Sequence, residues 1–360
     1  MTTPGTVTAN AGDIIALVAR IFSSLGVNEA GARTVAEALV EADREGLASH
    51  GVMLTDMYVD RIRSGSVSPT ATGTIVSDQG VAMVMDAENG LGQITGDKAI
   101  AHAIDRARTL GAGIVAVRNG FHFGAARRFA LKAADAGCVG IVMCNTRPLM
   151  PAPGGAEPVV GNNPLAIAFP TASDAPIVLD MATSEAAMGK IRMAAKSGKQ
   201  IPESWAVDAE GRETNDPEAA IAGMLLPSGG PKGFGLAFVM DLMAGLLSGG
   251  GYGATVSPLY GDPAKPYNCA HLFMAIDATH FGDAGAMQQA AAAAGDKLRA
   301  GRKAPGVDRL YAPGEREWQR ARDNADIVTI TDTVAAMLAG IARTLDIEPA
   351  LIAPLEQSKN

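Results

Sequence analysis

The chain has few cysteines, few aromatic side chains and no long apolar run. Its 360 residues hold three scattered cysteines, Cys138, Cys144 and Cys269. An odd, scattered set of thiols forms no disulfide framework, which predicts a reducing compartment and a cytoplasmic protein. No apolar run reaches the roughly 18 residues that a membrane-spanning helix needs. The first ten residues also lack the pattern of a signal peptide, so we expect no membrane partner.

Positive charge is also in short supply. Lysine and arginine number 30 against 38 acidic residues, which gives a net charge of −8. No basic cluster stands out, so a nucleic-acid partner is not expected. Apolar residues make up 48% of the chain, a composition typical of a globular protein with ample core. The length suggests about two domains.

The usual nucleotide-binding motifs are missing. No G-x-G-x-x-G follows a strand and opens a helix, and Gly229-Gly230-Pro231-Lys232 lacks the spacing of a P-loop. Both motifs work by bringing backbone N–H groups against phosphates at the start of a helix. Their absence gives no support to a standard dinucleotide-binding fold.

Apolar periodicity predicts a helical start followed by alternating strands and helices. Residues 11–66 have the pattern of three helices, the second capped by Asn28 and the third over about 52–63. From about residue 74 an α/β layer structure is predicted, with loop-rich stretches at 144–176 and 197–231. Its predicted strands are 81–85, 114–117, 139–143, 177–179 and 271–276. Its predicted helices are 96–110 after a Thr95 cap, 124–136, 184–196, 233–247, 287–300 and a last one capped by Thr331.

Two of the five histidines lie in turns that suit chemistry. His50 follows Ser49 between two predicted helices, and His122 lies in a strand-to-helix turn. Such turns at the carboxyl ends of strands are where α/β enzymes place ligands. Histidine has the pKa that proton transfer near neutral pH requires, so either residue could deliver a proton to a carbonyl oxygen. The alternative is that each only hydrogen-bonds a loop.

Other residues allow two interpretations. Asp180 ends an apolar strand, where it could bind a ribose hydroxyl or cap a helix at 184. Lys232 begins a helix after a glycine turn, which suits a phosphate or an ordinary exposed lysine. Cys269, His271 and His280 could serve a metal-dependent hydrolase or lyase, but their spacing matches no usual zinc pattern. We expect no metal.

Six segments in order resemble one family. They are Ala42-Asp43 with Ser49-His50-Gly51-Val52, His122-Phe123-Gly124, Gly161-Asn162-Asn163-Pro164, Leu179-Asp180-Met181-Ala182, Gly230-Pro231-Lys232-Gly233 and Pro313-Gly314-Glu315. The chain resembles the malate/L-lactate dehydrogenase family of the non-Rossmann type, with its sulfolactate, ureidoglycolate, diketogulonate and piperideine-2-carboxylate relatives. The resemblance implies an oxidoreductase that moves a hydride between NAD or NADP and a small 2-oxo/2-hydroxy acid. Reduction of cyclic imino acids, and a non-catalytic acid-binding role, are the alternatives.

The resemblance also implies an architecture. It predicts an α/β (α+β) fold whose cofactor domain has a mixed, largely antiparallel sheet, with a helical domain built from both chain ends. The corresponding boundaries are 1–75, 76–310 and 311–360. A homodimer is expected as well.

Site residues follow from the resemblance position by position. His122 is similar to the family's proton donor and acceptor, and His50 with Ser49 to its substrate-side polar pair. The cofactor-binding matches are Thr146, Asp180, Met181, Ala182, Lys232, Pro313, Gly314 and Glu315. One position departs, because many relatives carry an arginine where this chain has Leu54. Arg147 is the candidate replacement for binding a substrate carboxylate, and Asn163 is a second substrate-binding candidate.

Overall fold

The computed structural model describes residues 5–357. One layer is helical and is built from both chain ends. From the N-terminal end it takes α1 (Ala11–Ser24), α2 (Glu29–Arg44) and α3 (Thr55–Arg63), and from the C-terminal end α10 (Glu315–Asp323), α11 (Asp332–Thr344) and α12 (Pro349–Gln357). Strand β1 (Thr6–Asn10) pairs antiparallel with β13 (Ile327–Thr331) and joins the two ends. This part of the predicted fold is confirmed.

Side-chain caps and one shared core explain the helical layer. The side chains of Asn10 and Asn28 accept backbone N–H groups at the starts of α1 and α2, and Thr331 does the same for α11. Each cap satisfies an N–H that the helix itself leaves free. Apolar side chains from both ends then share one core, among them Ile14, Leu17, Ile21, Val328 and Leu338.

A seven-stranded sheet forms the second layer. Its strands are β2 (Thr74–Gln79), β3 (Ala82–Asp86), β4 (Ala112–Gly120), β5 (Cys138–Cys144), β8 (Leu165–Phe169), β9 (Ile177–Met181) and β12 (Cys269–Asp277). The spatial order is β2-β3-β4-β12-β5-β8-β9. Only β3 and β4 pair in parallel, and every other neighbour is antiparallel. The largely antiparallel sheet is confirmed, and the domain boundaries stay a prediction.

Helices cover both faces of this sheet. α4 (Gly92–Leu110) and α5 (Arg127–Asp135) pack on one face, where Phe129 and Ala103 meet Val115, Val142 and Phe273. α8 (Pro231–Ser248) covers the other face, where Met240 shares a cluster with Ala116, Met143, Leu165 and Leu272. Neighbouring residues such as Val115 and Ala116 face opposite layers, as the twofold period of a strand requires.

Strand directions bring the predicted site to one edge. β4 and β5 both run antiparallel to β12, so they share a direction. β8 reverses that direction and β9 restores it. The segments after β4, β5 and β9 therefore lie at the same edge as those before β8 and β12. That edge carries His122, Thr146, Arg147, Asn163 and Asp180.

Several elements were not predicted. The stretch 144–176 contains β6 (Met150–Pro151), β7 (Pro158–Val160) and β8, and the stretch 197–231 contains β10 (Ala206–Val207), α7 (Pro217–Ala222) and β11 (Met224–Leu225). These strands are short or interrupted by proline, so their periodicity is too brief to detect. The terminal strands β1 and β13 were also missed, because their partner lies more than 300 residues away.

Three predicted helix starts are wrong. Thr95 does not cap α4, which begins at Gly92, and its hydroxyl donates back to Leu91 O and Gly92 O. The helix expected from 184 is α6 (Met188–Lys196), so Asp180 does not cap it. The helix expected from 287 begins earlier, as α9 (Ala284–Arg299), under an Asp283 cap. None of the helices within residues 5–357 is long and apolar enough to cross a membrane.

Candidate active site

The two turn histidines lie face to face. His122 follows β4, His50 lies in a short 3₁₀ turn after α2, and their rings stack with centroids 5.7 Å apart and planes 25° from parallel. Both side chains are partly exposed. Burial lowers the pKa of His50, and burial together with the charges of His50 and His271 lowers the pKa of His122. Both imidazoles are therefore neutral near pH 7 in the ligand-free protein.

Asp43 holds the turn that carries His50 in place. The Val52 N–H donates to Asp43 Oδ2 at 2.8 Å, and Ser49 Oγ lies 3.0 Å from His50 Nδ1. A Cβ at Gly51 would come within 2.1 Å of Asp43 Oδ1, so only glycine fits over this carboxyl group. Burial raises the pKa of Asp43 to about 7. The turn therefore depends on one carboxyl group from α2.

A buried tyrosine reaches His122 from the other side. Tyr58 on α3 is fully buried, and its hydroxyl lies 2.7 Å from His122 Nδ1 and donates to His122 O at 3.3 Å. Gln93 Nε2 donates to the same hydroxyl at 2.9 Å. Phe121 packs edge-on against the Tyr58 ring. Neither Tyr58 nor Gln93 was singled out from the sequence.

The metal-binding alternative is not supported. Cys269 Sγ and His271 Nε2 lie 3.2 Å apart at the start of β12, both buried. His280 lies beyond the other end of that strand, next to Arg108 O. Within residues 5–357 no three His, Cys, Asp or Glu side chains converge on a metal position.

Asn163 joins the loops at the sheet edge. Its Oδ1 accepts the Thr146 N–H at 2.8 Å and its Nδ2 donates to Ala237 O at 2.9 Å. The side chain is fully buried, and its contact with substrate stays a prediction. It holds Thr146 in place, while Thr146 Oγ1 donates to Asn162 Oδ1 at 3.0 Å. Thr146 stays partly exposed.

Arg147 is exposed in the loop that follows β5. Its positive charge opposes the rise that burial causes in the pKa of Tyr267. The Tyr267 ring packs edge-on against Phe121, the neighbour of His122, at 6.2 Å. Leu54, by contrast, is buried in the core of the helical layer. That Arg147 replaces the cation missing at position 54 stays a prediction.

The segment 180–182 is the centre of the predicted cofactor site. Val178 N donates to Pro313 O on one side, and Ser228 N donates to Thr183 O on the other. Asp180 lines a cleft of about 190 Å³, together with Leu47, Arg127, Val178, Leu179, Pro313, Gly314 and Glu317. Burial raises the pKa of Asp180, and the Arg127 guanidinium and backbone N–H oppose that rise. Met181 and Ala182 follow, both partly exposed.

In the loop 313–315, Pro313 and Gly314 line the cleft, and Glu315 holds the loop in place. Gly314 has a φ of +81°, and a Cβ there would come within 2.2 Å of Val178 Cγ1, so the close approach requires glycine. Glu315 is only 1% exposed, and its carboxylate accepts from Arg309, Arg299 and Ala312 N. The carboxylate of Glu315 shapes this loop, and its contact with the cofactor stays a prediction.

Lys232 lies in the first turn of the 18-residue helix α8. It is exposed, and the preceding Gly229 and Gly230 both have positive φ with open space around them. Free N–H groups, the positive end of the helix dipole and a lysine together suit an anion. The residues present therefore fit a dinucleotide, with Asp180 suited to a ribose hydroxyl and Lys232 to a phosphate.

Comparison with known proteins decides the family. The sequence model of the malate/L-lactate dehydrogenase family matches residues 10–339. The chain belongs to that family. Malate dehydrogenase of Pyrococcus abyssi is 38% identical over 312 residues, which cover 84% of this chain and 85% of the relative. Ureidoglycolate dehydrogenase (NAD(+)) of Escherichia coli O157:H7 is 34% identical over 316 residues, which cover 87% of this chain and 90% of the relative.

A solved structure agrees with the fold. Sulfolactate dehydrogenase of Methanocaldococcus jannaschii superposes with a TM-score of 0.91 at 31% identity, covering 98% of this chain and 100% of the other. The predicted family, fold class and activity class are confirmed. The protein is an NAD(P)-dependent oxidoreductase of small 2-hydroxy acids.

Proposed function

We propose that this dehydrogenase interconverts a small 2-oxo acid and its 2-hydroxy acid, with His122 exchanging the proton at the reacting oxygen. The stacked pair of His122 and His50 carries the proposal, because His122 lies at the sheet edge that also carries the segments after β5 and β9. A stack of two neutral, partly exposed imidazoles can supply hydrogen bonds and move a proton, and it adds no charge of its own.

The cofactor residues keep the roles that the resemblance implied. Thr146, Asp180, Met181, Ala182, Lys232, Pro313 and Gly314 are proposed to line the dinucleotide. When bound, the nicotinamide supplies or accepts the hydride, and the protein supplies alignment. A carboxylate for a ribose hydroxyl and a helix N-terminus for a phosphate are the features that support this placement.

The substrate roles divide between two sides of the histidine stack. We assign to His50 and Ser49 the hydrogen bonds to the substrate's oxygen or carboxylate. Arg147 is proposed to bind the carboxylate, since Leu54 is buried and provides no cation. A bidentate arginine–carboxylate contact adds both affinity and a defined orientation.

A cyclic imino acid is the second candidate substrate. The observation that favours it is the apolar Leu54, because a substrate with one carboxylate and an uncharged ring makes less use of a second cation. Protonation at the ring nitrogen would again fall to His122. The two candidates differ only in the heteroatom that receives the proton.

We also propose that the enzyme is a homodimer that works in the cytoplasm. Helix α8 leaves Leu236, Phe238, Val239, Leu246 and Leu247 between 39% and 58% exposed. Contiguous apolar exposure of this kind is typical of a protein interface. The cytoplasmic location rests on the three cysteines, all buried free thiols. Light scattering on wild type and Leu246→Glu tests the dimer, which the added charge should weaken.

A reduced-cofactor oxidation assay tests the function. NADH and NADPH are offered separately with pyruvate, oxaloacetate, sulfopyruvate, 2,3-diketogulonate, piperideine-2-carboxylate and pyrroline-2-carboxylate. Turnover of an oxo acid supports the main proposal, and turnover of the imines alone supports the second candidate. Cofactor binding by fluorescence without turnover of any substrate would contradict both.

A further inference from the structure

We propose that Tyr58 and Gln93 hold His122 in the tautomer that carries its hydrogen on Nδ1, which leaves the Nε2 lone pair free to take the substrate's proton. This inference rests on the proposed function for the direction in which the proton moves. Tyr58 and Gln93 are positioning residues, because they act through His122 and not on the substrate.

The donors and acceptors around the Tyr58 hydroxyl favour this tautomer. A phenol has one hydrogen to donate and two lone pairs that accept. Its three neighbours are Gln93 Nε2 at 2.9 Å, His122 Nδ1 at 2.7 Å and His122 O at 3.3 Å. The amide nitrogen can only donate and the carbonyl oxygen can only accept. All three contacts are satisfied together only when His122 Nδ1 donates to the Tyr58 oxygen.

Turning the Gln93 amide around leads to the same result. With Oε1 facing the hydroxyl, the hydrogen of Tyr58 would go to that oxygen, and Nδ1 would again have to donate. Gln93 is fully buried, and among the described residues its Oε1 has no hydrogen-bond partner as it stands. The assignment of Nδ1 as donor therefore does not depend on which way the amide points.

The surroundings keep the network rigid and uncharged. Phe121 and Phe22 pack on the Tyr58 ring with centroids 5.1 and 6.2 Å away, so the hydroxyl cannot swing out. Burial raises the pKa of Tyr58, and the nearby Tyr260 and Cys269 add to that rise, so the phenol stays neutral. Towards His122 the other titratable neighbours are His50 and His271, both with lowered pKa.

This arrangement lets one network serve both directions of the reaction. In oxidation the substrate hydroxyl gives its proton to Nε2, and His122 becomes an imidazolium while Nδ1–H still donates to Tyr58. In reduction the same imidazolium returns the Nε2 proton to the carbonyl oxygen. No hydrogen moves at Nδ1 in either direction. A neutral phenol also stabilises the imidazolium less than a carboxylate would, so His122 releases the proton readily.

Histidine ¹⁵N spectra of the ligand-free protein test the tautomer without any turnover. Comparison with His122→Ala assigns the signals among the five histidines. We expect a protonated Nδ1 and an unprotonated Nε2 in wild type, and a shift towards protonated Nε2 in Tyr58→Phe. A wild-type His122 with its hydrogen on Nε2 would overturn the inference, whether or not the enzyme turns over an acid.

Kinetics separate positioning from a structural role. Tyr58→Phe should lower kcat about 10- to 100-fold, less than loss of the general base itself, with the substrate KM and the cofactor Kd within about twofold of wild type. The acid limb of the oxidation profile should move to lower pH, because the imidazolium loses an acceptor for Nδ1–H. Phe22→Leu is the control, since it disturbs the packing of Tyr58 without entering the network.

Gln93→Met provides a second variant that leaves Tyr58 in place. It should lower kcat several-fold with KM unchanged, because the hydroxyl loses one of its three hydrogen-bond partners. Unchanged kcat in both Tyr58→Phe and Gln93→Met, in an enzyme that does turn over, would overturn the inference and leave the proposed function intact. A wild type with no turnover but the expected ¹⁵N pattern would contradict the proposed function alone.

Discussion

His50 and His122 form one stack, yet their surroundings differ. His50 lies in a surface turn, and its ring nitrogen is next to the exposed hydroxyl of Ser49 at 3.0 Å. His122 is next to the buried hydroxyl of Tyr58 at 2.7 Å. Water can replace a lost partner at an exposed site but not at a buried one. This difference supports the proposal that His122 transfers the proton and His50 contacts the substrate.

The largest effect should come from breaking the stack one ring at a time. His122→Ala should lower kcat about 10²- to 10⁴-fold, the usual contribution of a general acid or base. His50→Ala should act mainly on KM, with a smaller loss in kcat, because its ring binds and orients the substrate. Steady-state kinetics with the best oxo acid measure both. Equal kcat losses in the two variants would contradict the proposed division of roles between His122 and His50.

The sequence predicted both histidines but not what holds them. A turn histidine can be recognised from its neighbours in the chain, as Ser49-His50-Gly51 and His122-Phe123-Gly124 show. Tyr58 reaches His122 across 64 residues and Gln93 reaches Tyr58 across 35. Such contacts arise because α3 packs against the turn after β4. Local sequence patterns cannot predict this packing.

The same limit applies to two predicted site residues whose side chains are buried. Glu315 and Asn163 match the family segments, and both lie where the resemblance placed them. Their side chains point into hydrogen bonds with the scaffold, to Arg309 and Ala312 in one case and to Thr146 and Ala237 in the other. A motif gives a residue its place in the chain, whereas burial decides whether it meets a ligand.

The next effect concerns the proposed carboxylate-binding residue, Arg147. Arg147→Ala should raise KM for a carboxylate substrate about 30-fold, which corresponds to loss of a charged hydrogen bond of about 2 kcal/mol. kcat should change less, since the histidines remain. Arg147→Lys, which keeps the charge but not the bidentate geometry, is the matched control and should recover part of the loss. An unchanged KM in Arg147→Ala would remove the arginine from the substrate site.

A stability measurement sharpens the comparison at the His50 turn. Burial raises the pKa of Asp43 from 3.8 to about 7. The folded state therefore binds this proton more tightly than the unfolded state, so its stabilising effect is full below pH 4 and is lost as pH rises to about 7. Asp43→Asn cannot ionise and should keep that stability at higher pH. Its melting temperature relative to wild type should thus increase across this window.

Parallel curves for wild type and Asp43→Asn would contradict this assignment. The lowered pKa values of His50 and His122 also make stability depend on pH, but in the opposite sense, because protonation of a buried imidazole at low pH favours unfolding. Both proteins retain those histidines, so the difference between the two curves isolates the carboxyl group. Asp13→Asn, on the N-terminal helix α1, controls for the loss of one acidic charge.

The smallest effect should come from Ser49→Ala. The Ser49 hydroxyl is exposed, so water can take its place beside His50 Nδ1, and kcat/KM should fall by no more than about fivefold. Tyr58→Phe removes a hydroxyl at the matching position on His122, where the site is closed to water, and should cost more. The ratio of the two losses measures how far burial, and not the hydrogen bond alone, determines what each histidine does. A Ser49→Ala loss as large as that of Tyr58→Phe would mean that the two histidines share the proton.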